Sequence, residues 1–111
     1  MFRINPAPTF DASVRLTVPG QDAPAVLQLT FAHMGRKAAA DWIERAKGRS
    51  DADVIGEVVR DWKDVQDDAG APVPYSREAL AALLDAHPAA GMELFDAYLA
   101  ALSESRAKNS G

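Results

Sequence analysis

The sequence predicts an α+β fold, an N-terminal antiparallel β-hairpin packed on a mainly helical domain of about four helices. Three observations predict it. Apolar residues alternate with polar ones near the N-terminus, the apolar spacing changes to three and four after Gly35, and caps and breakers divide the remainder into short segments. At 111 residues, the chain is expected to form one domain, residues 1–111, with its own core. Residues 1–9 carry two prolines and little pattern, and read as an extended lead-in.

Phe10, Ala12, Val14, Leu16 and Val18 then fall on one face, with Asp11, Ser13, Arg15 and Thr17 on the other. That alternation is the mark of a half-buried strand. Turn formers fill Pro19-Gly20-Gln21-Asp22-Ala23-Pro24, and Ala25, Leu27, Leu29 and Phe31 alternate with Val26, Gln28 and Thr30. A hairpin results, and it needs a cover for its apolar face.

Met34, Ala38, Trp42 and Ala46, with Ile43 beside the tryptophan, describe an amphipathic helix ending near Gly48. Ser50 is placed to cap a second helix, with Asp51 and Asp53 favourable at its N-terminus. Its expected buried stripe is Val54, Ile55, Val58, Val59 and Trp62, with fraying at Asp61. Residues 61–76 read as a hairpin-like or Ω-type loop around Asp67-Asp68-Ala69-Gly70, since Pro72 and Pro74 exclude helix. Ser76 caps a third helix with Leu80, Leu83 and Leu84 toward the core, and His87-Pro88 stops it. A last helix is expected from about Ala89 to Ser105. Met92, Phe95, Leu99 and Leu102 share one face, which Leu94, Tyr98 and Ala101 widen. Residues 106–111 are expected to fray.

Composition narrows the chemistry. No cysteine is present, which removes disulfides, thiolate metal sites and a Cys nucleophile. Twelve Lys and Arg against sixteen Asp and Glu leave a net charge of −4, the wrong sign for a typical nucleic-acid binder. Arg36, Lys37, Arg45, Lys47 and Arg49 make a local cationic surplus. The valine-rich second helix beside it, with Glu57 and Asp61, does not suit a DNA-reading helix, so no nucleic-acid partner is expected. No apolar run approaches a membrane span and the first residues do not resemble a signal peptide, so no membrane partner is expected either.

No catalytic or cofactor site emerges. His33 and His87 sit in no metal-ligand spacing and read as junction residues. Asp61, Asp64, Asp67 and Asp68 suggest calcium. Counting from Asp61, however, the sixth residue is Gln66 and the twelfth Pro72, where an EF-hand loop needs Gly and Glu. No serine lies in a G-x-S-x-G elbow, and neither a P-loop nor a G-x-G-x-x-G is present. The expectation is a binding protein, not an enzyme, with no cofactor and no metal. Its free features are the hairpin edges and the broad apolar stripe of the last helix.

The run from Asp61-Trp62-Lys63-Asp64-Val65 through Asp68-Ala69-Gly70-Ala71-Pro72-Val73-Pro74-Tyr75-Ser76, followed by Leu80, Leu83 and Leu84, is distinctive. It resembles the pattern of tailed-bacteriophage (or prophage) tail assembly chaperones, and the resemblance extends over roughly residues 10–105. Trp62, Gly70, Pro72, Val73 and Pro74 carry most of it. Asp64 departs from the pattern, standing where glycine is more often expected. The resemblance implies a non-catalytic protein that binds the tail tape measure protein, keeps it soluble and recruits tail tube protein. It further implies action in the cytoplasm of the bacterial host and absence from the mature virion. Weak homo-oligomerisation through the hairpin edge or the last helix fits that role. Trp62, Val65, Gly70, Pro72, Val73, Pro74, Leu80, Leu83 and Leu84 are then motif and core positions, and Phe95, Tyr98, Leu99 and Leu102 candidate interaction residues. The alternative is a small adaptor or structural subunit retained in the particle. Members of the resembled family are often made in two lengths by a −1 frameshift, for which Ala107-Lys108-Asn109 supplies a codable slippery site.

Overall fold

The computed structural model describes residues 2–103. The expected frayed tail, the helix end at Ser105 and the Ala107-Lys108-Asn109 site lie outside the described residues. The order of elements is β1 (Thr9–Leu16), β2 (Ala25–Ala32), α1 (Arg36–Ala46), α2 (Asp51–Gly56), β3 (Val59–Lys63), α3 (Arg77–Ala86) and α4 (Ala90–Ser103). The three strands form one antiparallel sheet in the order β1-β2-β3, and the fold is α+β as expected.

β1 and β2 pair without irregularity from Thr9–Ala32 to Leu16–Ala25. Alternation buries Ala12, Val14 and Leu16 on one strand and Leu27, Leu29 and Phe31 on the other. All six join a core that also contains Trp42, Val54, Ile55, Val58, Val59, Trp62, Leu80, Leu94 and Tyr98. Ser50 and Ser76 cap α2 and α3 as the sequence indicates, each side chain accepting from a backbone N–H three residues on.

Three expectations need correction. The second helix stops at Gly56, and Val59–Lys63 form a strand against β2. The reason lies in the register. Asp61 pairs with Thr30 but Val59 with Phe31, so Arg60 is an extra residue bulged out of the ladder. The bulge puts Val59 and Trp62, three apart, on the same buried face, and that spacing mimics a helical period. Consequently one of the two hairpin edges expected to be free, that of β2, is covered.

In α4 the buried stripe is Ala90, Gly91, Leu94 and Tyr98. Met92, expected on the core face, is 66% exposed because the helix is turned to set Leu94 and Tyr98 over the sheet. Tyr98, expected at an interaction surface, is fully buried. Its hydroxyl donates to the Ala32 carbonyl at 2.7 Å and its ring packs edge-on against Phe31 and Trp42.

Candidate functional site

The segment that follows β3 is held by side chains bonding to its own backbone. Asp67 Oδ1 accepts from the N–H groups of Ala69 and Ala71, both at 2.9 Å, and the Gly70 N–H donates to the Asp67 carbonyl. Gly70 has φ +82°, a left-handed conformation that a residue without Cβ adopts at no steric cost. Asp64 also lies in that region, at φ 58°. The glycine expected there has a backbone reason, and aspartate is among the few residues that tolerate the conformation. Past the turn, Val73 N–H donates to Val65 O at 2.8 Å and Gln66 bridges Pro72, so the loop is a small hairpin.

Trp62 fixes this hairpin to the sheet. From its place opposite Leu29 in the ladder, its indole N–H donates to the Val73 carbonyl at 2.8 Å. Tyr75 stands edge-on to the indole, with centroids 5.2 Å apart, and its hydroxyl reaches the Val59 carbonyl. Burial raises the Tyr75 phenol above its ordinary value, so it remains a donor. Pro72 and Pro74 flank Val73 and cannot donate, which suits carbonyl-out, extended backbone. Ser76 then caps α3.

Between this pinned loop and α3 lies an open, mostly apolar groove of about 340 Å³. Trp62, Val65 and Val73 form one wall, and Ala79, Ala82, Leu83 and Ala86 the other, with Gln66, Asp68 and His87 at its limits. His87 ends α3, and its Nδ1 is buried with no hydrogen-bond partner. Of the motif residues, Trp62, Val65, Val73 and Leu83 meet at the groove. Gly70, Pro72 and Pro74 shape the loop, Leu80 is fully buried beneath, and Leu84 is half-buried against the core. The alanines were not singled out from sequence, although Ala79, Ala82 and Ala86 have the three-and-four spacing of one helix face.

The family model described as phage tail assembly chaperone matches residues 1–109. The chain belongs to that family. A search of the curated proteins and a search of the solved structures each found no match.

The remaining interaction candidates of this tail assembly chaperone occupy a different place. Phe95 stacks on Trp42 at 4.9 Å and lines a smaller groove, of about 170 Å³, with Ala46, Val54, Ile55 and Met92. Leu99 and Leu102 are half-buried against the core, and Leu102 also lines an open groove of about 400 Å³ beside Met34 and Ala39.

Part of the charge around α1 is paired, Lys47 with Glu44 among it. Arg45 and Arg49 both bind the Glu57 carboxylate, and these hydrogen bonds hold Glu57 below its ordinary value. They clamp the end of α1 to the turn after α2. Two of the four aspartates in 61–68 bond locally: Asp61 accepts from the Trp62 N–H and Asp67 holds the turn. Among the described residues, no three His, Asp or Glu side chains group closely enough to hold a metal.

Proposed function

We propose that this chaperone acts without catalysis in the host cytoplasm, binding the tail tape measure protein, keeping it soluble and recruiting tail tube protein around it. Family membership across residues 1–109 carries the reading. The groove beside Trp62 and α3 supports it, because an apolar trough with one helical wall suits an amphipathic client helix. Several weakly associating copies on one long client gain avidity without a tight single site.

Co-expression with the tape measure protein tests this. The wild-type chaperone should raise the client's soluble fraction and co-purify with it. Ala82→Glu, at an exposed position on the groove wall, should abolish both effects, whereas Met92→Glu on the smaller groove should leave them intact. Unchanged client solubility and no isolable complex would overturn the proposal. Purified particles give a second readout: the chain should occur in assembly intermediates and be missing from mature virions.

A further inference from the structure

β1 is an edge strand eight residues long, regular in register and free of proline. Proteins usually blunt such an edge with proline, bulges or very short strands, because unpaired backbone groups are a template for another strand. The Pro8 carbonyl accepts from the His33 N–H at 2.8 Å, one step beyond the Thr9–Ala32 pair. Even-numbered positions of β1 therefore bond to β2. Asp11, Ser13 and Arg15 turn their N–H and C=O groups to the free edge. Their side chains are exposed on the face away from the core. Asp11 accepts from Thr30 and Ser13 donates to Gln28, while Arg15 belongs to no ion pair among the described residues.

We propose that β1 is the site at which two copies of this chain join, antiparallel about a two-fold axis through Ser13. In that register Ser13 faces its counterpart and each Asp11 faces an Arg15 of the other copy. About six backbone hydrogen bonds close across the three central pairs. Opposite charges directly across a ladder favour pairing and like charges oppose it. Centring the pair on residue 11 or 15 instead would set two aspartates or two arginines face to face, so the charges select the Ser13 register. Glu93 of α4 binds Thr17, beyond the central pairs. The interface is isologous and closes at two copies, giving one continuous sheet. The inference stands on β1 alone and does not depend on which client is bound.

Sedimentation across a wide concentration range, with circular dichroism to verify folding, tests the proposal. The wild type should show a reversible monomer–dimer equilibrium. Asp11→Arg and Arg15→Asp should each weaken it by about tenfold or more. An equimolar mixture of the two variants should recover a heterodimer, because the Asp11→Arg copy offers two cations and the Arg15→Asp copy two anions. The double variant D11R/R15D should dimerise like the wild type. A strictly monomeric wild type, single variants that dimerise normally, or a mixture that stays monomeric would each overturn the proposal. Client solubilisation in co-expression is a separate readout, so loss of one reading is distinguishable from loss of the other.

Discussion

Replacing Trp62 by alanine should be the most damaging change in the family motif, and its cost can be worked from the structure. Trp62 is only 6% exposed. A tryptophan buries roughly 150–250 Å², worth about 4–6 kcal/mol at about 25 cal/mol per Å². Residual compaction of the unfolded chain lowers this to about 3–5 kcal/mol, the range observed for large-to-small aromatic truncations. The substitution also strips the Val73 carbonyl of its indole donor and Tyr75 of its edge-on partner. Trp62→Phe separates the two contributions. It keeps a ring beside Tyr75 but loses the N–H, and should cost about 1–2 kcal/mol for the hydrogen bond together with some packing. Urea unfolding followed by circular dichroism, with unchanged m-values, reads both quantities. A Trp62→Ala variant within about 1 kcal/mol of the wild type would refute the role of Trp62 as the pin between sheet and loop.

Two further substitutions test other joints of the fold. Tyr98→Phe removes the donor to the Ala32 carbonyl at 2.7 Å and should destabilise by about 1–3 kcal/mol. Burial pushes the Tyr98 phenol up to about 12, so this donor is present across the neutral range and the loss should not vary with pH there; a variant as stable as wild type in urea contradicts it. Glu57, held below its ordinary 4.5 by Arg45 and then Arg49, should show the opposite dependence. A carboxyl lowered on folding stabilises fully above its unfolded value, and the contribution disappears as pH falls through the folded one. Thermal melts of wild type and Glu57→Gln should therefore differ at neutral pH, and the difference should shrink progressively as pH falls below the ordinary 4.5; equal stability of the two at neutral pH rejects the clamp.

The parts of the fold legible in the sequence are those where one local rule decides the outcome. Strict alternation over Phe10–Leu16 and Leu27–Phe31 has no helical solution, and both strands occur. Ser50 and Ser76 each precede a run that needs a cap, and each caps it. β3 was not legible because its bulge at Arg60 gives Val59 and Trp62 a spacing that a helix also gives. Only pairing with Thr30 and Phe31, far away in sequence, distinguishes the two. The rotation of α4 is a tertiary outcome of the same kind. Leu, Met, Phe and Tyr surround that helix on several sides, and the contact of Tyr98 with Ala32 selects which side turns inward.

The motif was legible as a pattern before its mechanics were. Its residues divide between two jobs that a periodicity reading cannot separate. Asp64, Asp67 and Gly70 set the loop's backbone, while Trp62 and Tyr75 attach it to the sheet. Val65, Val73 and the alanine face of α3 are what the attached loop then leaves open. Loss of that attachment is expected to let Val65 and Val73 move toward the alanine face of α3. The indole of Trp62 anchors the loop at a fixed point on the sheet. Trp62 is therefore expected to position the loop as well as to fill the core. On this reasoning Trp62→Phe, which keeps most of the packing, should reduce client capture by more than its modest effect on stability accounts for, whereas Leu84→Ala, on the far side of α3, should change stability and capture together. Equal losses of capture in variants matched for stability would show that the groove needs only a folded domain and not a pinned loop.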